Sequence, residues 1–147
     1  MIYKAINALV FGLAMVLMID FILFIGFKLH YFDFYEIKEY FNVYFFDNQS
    51  FLIILTSSLI LGYLMLYSPF PKFFQSIYLA VLLGSLTIFY HPIGHKVAQE
   101  FFTKEDLSFT IGKQNFKATL LYEGRDKIYI KRDEIERVIV IKKEDLK

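Results

Sequence analysis

The sequence predicts a membrane protein of the all-α class, with three transmembrane helices and an interfacial amphipathic helix, followed by a small C-terminal antiparallel β unit. Three observations predict this fold class. Hydrophobic residues make up 56% of the 147 residues, and the mean hydropathy is +0.45. Charged side chains are distributed unevenly, with nine up to residue 95 and 22 after it. Long apolar runs give way to strand-like alternation after residue 106.

The composition also limits the class of function. The chain has no cysteine, which excludes a disulfide scaffold and a cysteine-ligated metal site. The high apolar fraction excludes a disordered chain and argues against an ordinary soluble enzyme. Because charge density changes sharply near residue 95, we place a domain boundary there. We expect a transmembrane domain over residues 1–95, and a helical neck with a small β-meander domain over residues 96–147.

Three apolar segments are candidates for transmembrane helices, since a spanning helix needs about 20 mostly apolar residues. Residues 5–27 form the first candidate and are bracketed by two lysines. Residues 51–68 form the second and carry no charge, and residues 73–90 form the third. A proline-containing turn at residues 69–72 separates the last two. Proline cannot continue a helix interior, so these two spans are predicted to form an antiparallel hairpin.

Residues 31–47 have a different pattern, in which aromatic side chains are interrupted by acidic ones. On a helical wheel the aromatic residues gather on one face, which is typical of an amphipathic helix lying in the membrane interface. A fourth spanning helix is rejected because it would bury at least three charges. The acidic face is interpreted as part of a connector resting on the membrane or, less favoured, as a docking surface for a partner. Its residues are Asp33, Glu36, Glu39 and Asp47.

Lysine counts predict the orientation of the three spans. The N-terminus and the 69–72 turn carry two lysines, whereas the 28–50 loop and the membrane-proximal tail carry four. Because cytoplasmic loops hold the excess of basic residues, we expect the N-terminus outside and the C-terminal domain in the cytoplasm. The predicted location is the plasma (inner) membrane. The expected partners are the lipid bilayer and either another membrane protein or further copies of this chain.

The C-terminal part is predicted to be a short helix followed by four strands. Residues 93–106 form the helical neck, after which apolar and polar residues alternate as in half-buried antiparallel strands. A helical turn is expected over residues 133–136, and the apolar run at 138–141 predicts a strand covered on both faces. So small a core is marginal, and we expect this unit to dock elsewhere. The predicted strands are Leu107–Gly112, Phe116–Tyr122, Lys127–Lys131 and Arg137–Lys142, with turns at 112–115 and 123–126.

One carboxylate, that of Asp20, lies inside a predicted span, at a depth of about 10 Å from the inner end of the first helix. Hydroxyl residues fall at similar depths in the other two spans. We favour a structural role, in which this polar layer satisfies a protonated carboxyl and ties the helices together; the alternative is a proton or ion path. Gly62 and Gly84 are expected to permit close helix packing. The layer comprises Asp20, Ser57, Ser58, Ser85 and Thr87.

Three histidines are expected near one membrane face. His91 and His95 are four residues apart, and His30 follows the first span on the same side. A zinc site needs a third and often a fourth ligand, and proline and glycine between the two histidines interrupt a helical face. We favour interfacial histidines without a ligand, with pH sensing or metal binding as the alternative. No metal and no cofactor is predicted.

The sequence lacks a nucleophile elbow, a phosphate loop and a His-Glu-x-x-His motif, so we expect no enzyme activity. The tail has a net charge of only +2 with interleaved signs, which does not predict nucleic-acid binding. The favoured hypothesis is a non-enzymatic membrane interaction protein, either an accessory subunit or an immunity-type protein. The alternatives are a self-assembling pore or holin-like effector that uses the Asp20 layer, and a membrane sensor whose β tail binds a ligand.

Overall fold

The computed structural model describes residues 2–111, 114–132 and 135–145, and it confirms apolar helices followed by a small four-stranded antiparallel sheet. The helices are α1 (Ile2–Phe27), α2 (Phe41–Asp47), α3 (Phe51–Tyr67), α4 (Pro71–Ser85) and α5 (His91–Phe102). The strands are β1 (Lys104–Ile111), β2 (Gln114–Glu123), β3 (Lys127–Arg132) and β4 (Ile135–Lys142). A π-helical turn follows α1, and 3-10 turns follow α4 and β4, at Lys28–Phe32, Leu86–Phe89 and Lys143–Asp145.

Two helical stretches within the described residues are long and apolar enough to cross a membrane, Ile2–Phe32 and Pro71–Phe89. They contain the predicted spans 5–27 and, but for its last residue, 73–90. A third candidate is the pair α2 and α3, which are bent by 77° where they meet. Helix α3 alone has 17 residues, close to the length that a bilayer requires. Length and composition thus give two or three candidate spans.

Helices α1 and α3 meet at glycine positions with their backbones in contact. A Cβ on Gly12 would collide with the Ser58 carbonyl oxygen, and a Cβ on Gly62 would collide with the Ala8 carbonyl oxygen. Small residues permit this close approach, as is common where apolar helices pack in membranes. Around Gly84, in contrast, no atom of the described residues lies within 4 Å of the position of a Cβ. The packing role expected of Gly84 therefore has no partner inside the described chain.

Helix α4 is linked to both other long helices by side chains that donate hydrogen bonds to backbone carbonyls. The Tyr78 hydroxyl donates to the Met15 carbonyl of α1 at 3.1 Å. The Gln75 side-chain amide donates to the Met65 carbonyl of α3 at 3.2 Å. Each polar group thereby finds a partner within an apolar helix bundle, where leaving it unpaired would be costly.

The single amphipathic helix predicted over residues 31–47 is not formed. The π-helical turn ends at Phe32, residues 33–36 form turns, residues 37–40 have no regular secondary structure, and the helix resumes only at Phe41–Asp47. Glu36 has a φ of 53°, in the left-handed region that non-glycine residues rarely adopt, and this conformation ends the helical path. The aromatic residues therefore do not form one continuous helical face, because the backbone changes direction between them.

The C-terminal sheet is an antiparallel meander in the order β1-β2-β3-β4. Its strands are longer than predicted, and α5 ends at Phe102, earlier than the predicted end of the neck at residue 106. One face carries the core, to which neighbouring strands contribute directly paired residues such as Ile128 and Ile141. The buried residues of this core are Ala118, Leu120, Ile128, Ile130 and Ile141.

Two expectations about β4 differ from the structure. Ile135 already belongs to the strand, so the described part of the predicted 133–136 turn is extended, while residues 133–134 lie outside the described residues. Val140 is 51% exposed, so the apolar run at 138–141 is covered on one face only. Residues 112–113 of the predicted 112–115 turn also lie outside the described residues, and Gln114 starts β2.

The chain forms two compact units, and their boundaries do not coincide with the change in charge density near residue 95. The helical unit comprises Met1–Gly26 and Phe45–Ile88, and the mixed unit comprises Phe27–Tyr44 and Phe89–Lys147. The segment Phe27–Tyr44 joins the mixed unit because its buried aromatic side chains pack against α5 and β2. The domain boundary at residue 95, which reflects charge density, stays a prediction.

We predict that Gly62→Ala lowers the stability of the helical unit by about 1–3 kcal/mol, because the added methyl group overpacks the contact with Ala8. Thermal unfolding in detergent micelles measures this as a lower Tm. Gly84→Ala is the matched control: it meets open space and raises helix propensity, so its Tm should equal or exceed that of the wild type. Equal Tm values for both variants would contradict the proposed close contact.

Candidate functional site

The structure does not assemble the predicted polar layer around Asp20. Gly12 faces Ser58 across the α1–α3 contact, and Ala8 faces Gly62, which fixes the antiparallel register of the two helices. Asp20 is eight residues from Gly12, or about 12 Å along the helix. Ser57 and Ser58 therefore lie about two turns from Asp20, nearer the start of α1, and the layer is split.

The reason for this register is an aromatic contact that the sequence did not reveal. The Phe45 ring of α2 packs edge-on against Phe24 and Phe21, with centroid distances of 5.2 and 5.8 Å. Helix α2 therefore occupies the surface of α1 next to Asp20. Helix α3 begins beyond this contact and meets α1 nearer its N-terminus.

Three of the predicted hydroxyls bond to their own helix rather than to one another. The Ser57 hydroxyl donates to the Ile53 carbonyl at 2.7 Å, Ser85 to Leu82 at 2.7 Å and Thr87 to Gly84 at 2.7 Å. Ser58 is fully buried, and its hydroxyl has no hydrogen-bond partner among the described residues. Such local bonds satisfy a hydroxyl without building a polar path.

The three histidines come together, as the sequence suggested. The His30 and His91 rings are 5.2 Å apart, and the His91 and His95 rings stack at 5.8 Å. His30 Nε2 donates to the Phe89 carbonyl, and His95 Nδ1 donates to the His30 carbonyl, both at 2.9 Å. Each bond uses one of the two ring nitrogens, so one ring nitrogen of His30 and one of His95 do not take part in these bonds. The described residues contain no group of three His, Cys, Asp or Glu side chains that could hold a metal ion.

The four acidic residues predicted as a docking face are separated in the structure. Asp33 forms an ion pair with Lys28 at 2.7 Å, and Glu39 accepts a hydrogen bond from the Tyr129 hydroxyl at 3.3 Å. Glu36 lines a pocket, and Asp47 lies at the end of α2 in the helical unit. They do not share a face because residues 33–40 are not helical.

A buried aromatic cluster, which the sequence analysis did not find, organises the mixed unit. The Tyr31 hydroxyl donates to the Leu121 carbonyl at 2.9 Å, so the Thr103 hydroxyl, 2.7 Å away, donates to Tyr31. The Tyr31 ring stacks on Phe102, and Phe32 packs edge-on against Tyr122. Single-sequence periodicity contains no signal for these contacts, because the partners are distant in the chain.

The mixed unit also contains a pocket of about 900 Å³ between the 34–38 segment and the outer face of β3 and β4. We call it the cationic pocket, because four of the described residues that line it are basic and one is acidic. Ligand pockets commonly measure about 300–1,000 Å³. The charged lining residues are Lys38, Lys127, Lys131, Arg137 and Glu36.

The arrangement of the cationic pocket follows from strand geometry. Side chains two residues apart share a face of a strand, so Lys127, Tyr129 and Lys131 all lie opposite the core residues of β3. A change of register between β3 and β4 after Lys131 brings Arg137 into the lining as well. The alternation of Lys127, Tyr129 and Lys131 was visible in the sequence. The packing of residues 34–38 against this face, which closes the pocket, was not.

Comparisons with protein-family models, curated proteins and solved structures gave no match to this chain. The function is therefore argued from the chain's own geometry.

We predict that Tyr129 ionises well above an ordinary tyrosine. Burial, reinforced by the negative charge of Glu39, raises the pKa of Tyr129 to about 12. Since the folded pKa exceeds the unfolded value, the stabilising contribution of the neutral phenol is complete below a pH of about 10 and is lost as pH rises through about 12. The difference in tyrosinate absorbance between the wild type and Tyr129→Phe measures this titration.

Glu39→Gln should lower the midpoint of the Tyr129 titration, because it removes the adjacent negative charge. Glu144→Gln removes an exposed carboxylate elsewhere in the mixed unit and should leave that midpoint unchanged. A Tyr129 midpoint near pH 10 in the wild type would show that the phenol is neither buried nor next to Glu39.

Proposed function

We infer that this chain is a three-span integral membrane protein that acts by binding rather than by catalysis: its helices bind a membrane partner, and its tail forms a binding module. The observation that carries this proposal is the exposure of large apolar side chains all along the helices. Their exposure in water would be unfavourable, so lipid or another membrane helix must cover them. Examples are Val10, Phe21, Leu52, Ile77 and Leu83, each at least 44% exposed.

The connectivity of the two units supports three spans. The chain passes between the helical unit and the mixed unit after Gly26, after Tyr44 and after Ile88. Because Phe27–Tyr44 and Phe89–Lys147 fold together, the chain must cross the bilayer an even number of times between them. Helices α3 and α4 provide these two crossings, and α1 provides the first. Lysine counts then favour an outside N-terminus and a cytoplasmic mixed unit in the plasma (inner) membrane.

The side-chain geometry supports binding without catalysis. The Ser57, Ser85 and Thr87 hydroxyls are committed to carbonyls of their own helix, so none of them is paired with a base that would activate it. The separation of Asp20 from Ser57 and Ser58 also weakens the pore alternative, since a conducting layer would have to be completed by other copies of the chain.

The cationic pocket favours a second candidate function, a membrane sensor with a ligand-binding tail. The pocket lies in the same unit as the Lys28–Phe32 turn that continues α1 and as the α5 helix that follows the last span. A ligand bound there would therefore occupy the same compact unit as two elements that are directly continuous with proposed spans.

The natural absence of cysteine makes the topology directly testable with single-cysteine variants. In right-side-out spheroplasts, a membrane-impermeant maleimide should label Lys4→Cys and Lys72→Cys. Lys104→Cys and Glu144→Cys should react only in inverted membrane vesicles. The wild type serves as a control without any thiol. Labelling of Lys72→Cys and Glu144→Cys from the same side would rule out three spans.

A voltage-sensitive dye in bacteria expressing the chain separates the binding function from the pore. We expect no depolarisation with the wild type or with Asp20→Asn, at membrane expression verified for both. Gramicidin provides the positive control for the dye. Rapid depolarisation by the wild type that is lost in Asp20→Asn would replace the proposed function with an ion path through Asp20.

A further inference from the structure

The basic residues of the cationic pocket lack anionic partners within the described part of the chain. The ion pairs of Lys28 with Asp33 and of Lys143 with Glu123 both lie outside the pocket. Lys38, Lys127 and Arg137 are exposed, and Lys131 is half-buried. Among the described residues that line the pocket, Glu36 is the acidic one, and their net charge is +3.

The sheet concentrates this positive charge further at the edge of the pocket. Lys127 pairs directly with Lys142 across β3 and β4. Like charges opposite each other in an antiparallel pair are destabilising, by an amount comparable to the gain from an opposite-charge pair. A bound anion would relieve this repulsion, since it would attract every cation around it at once.

The segment of residues 34–39, which lies on the side of the pocket opposite the sheet, is held in a defined position. The Tyr129 hydroxyl donates to Glu39, and Gly124 lies so close to Glu39 that a Cβ would stand 2.8 Å from the carboxylate oxygen Oε1. Glu36 in the same segment has a φ of 53°. Strained backbone of this kind persists where the surrounding structure enforces it, and such positions cluster at ligand sites.

The lining of the pocket also includes aromatic and aliphatic side chains. Phe34 and Tyr35 line one side, and their rings pack edge-on at 4.9 Å, while Val138 and Val140 line the sheet side. A ligand that fills about 900 Å³ therefore meets apolar as well as cationic surface. This combination suits an organic molecule with a phosphate group better than a bare inorganic ion.

We propose that the cationic pocket binds a phosphate-bearing organic anion, with Lys38, Lys127, Lys131 and Arg137 around the phosphate. Lysine and arginine form strong charge-assisted hydrogen bonds to phosphate, and arginine can form two in parallel. A soluble phosphorylated metabolite and the headgroup of an anionic phospholipid share this chemistry. The proposal names a ligand class for the sensor function, and its physiological meaning rests on that function. Binding of the ligand itself does not depend on the number of membrane spans.

Isothermal titration of the full-length protein in dodecyl maltoside micelles tests the proposal with two probes. Inorganic pyrophosphate represents soluble phosphate, and dioctanoyl phosphatidic acid represents the lipid headgroup. Saturable binding of pyrophosphate would support a soluble ligand, and binding of phosphatidic acid alone would support a lipid. In either case affinity should fall as sodium chloride is raised, because salt screens the cations.

Variants of matched charge locate the site. The double variant Lys131→Gln with Arg137→Gln should weaken binding of the positive probe at least about tenfold. Glu36→Gln should strengthen it by about two- to fivefold, because it removes the opposing carboxylate. The double variant Lys104→Gln with Lys117→Gln removes the same two positive charges from the same sheet outside the pocket and should leave the Kd unchanged. Thermal unfolding verifies that each variant is folded.

Three results would overturn the proposal. The first is no binding of either probe by protein that unfolds cooperatively on heating. The second is equal weakening by the Lys104→Gln, Lys117→Gln control and by the Lys131→Gln, Arg137→Gln variant, which would indicate non-specific attraction. The third is binding of poly-glutamate with neither phosphate probe bound, which would indicate an acidic protein partner. None of these results bears on the maleimide labelling pattern, so failure here is distinct from failure of the proposed membrane topology.

Discussion

The buried hydroxyl of Tyr31 is the interaction on which the mixed unit depends. Its partners, Thr103 and the Leu121 carbonyl, are 72 and 90 residues further along the chain. A hydroxyl removed from water costs about 1–3 kcal/mol if it stays unpaired, so the end of the first helix and the tail must be in register for either to be stable. The packing of Phe102 on the same ring adds apolar burial to this constraint.

A second constraint acts in the helical unit, where backbone contact replaces side-chain packing. Gly12 and Gly62 bring α1 and α3 together, and Phe45 fills the remaining surface of α1 near Phe24. These contacts decide which residues share a level in the bundle. They separate Asp20 from the α3 serines, so the helical unit contains a close backbone contact between α1 and α3 instead of a continuous polar layer.

Much of the fold could be predicted because its signals are local. Each of these signals depends only on residues that are close in the sequence: apolar runs, prolines at turns and alternation along strands. They correctly indicated the apolar helices and the meander. The helix predicted over residues 31–47 was wrong because Glu36 is left-handed and Glu39, in the irregular 37–40 segment, contacts Tyr129 and Gly124 of the mixed unit. The depth argument for Ser57 and Ser58 assumed that the end of α1 and the start of α3 lie at one level, whereas Gly12 meets Ser58 and Ala8 meets Gly62.

The candidate site was predicted only in part for the same reason. The alternation of Lys127, Tyr129 and Lys131 placed three pocket residues on one face, and the histidines were expected to be neighbours. The contribution of Lys38 and Glu36 to the pocket could not be predicted, because nothing in the local sequence shows that this segment packs beside β3. Of the four residues predicted to form an acidic interfacial face, Glu36 is the one that lines the mainly basic pocket.

The division of the mixed unit between two distant stretches of chain has a consequence for biosynthesis. Phe27–Tyr44 leaves the ribosome before the rest of the unit, Phe89–Lys147, has been made. In the proposed membrane topology, its buried aromatic residues lack their native partners until the intervening hairpin has entered the bilayer. The high sequence separation of these contacts makes their formation slow relative to helix formation. In that topology the lipid interface would cover these rings during the interval, so membrane insertion would precede the folding of the mixed unit.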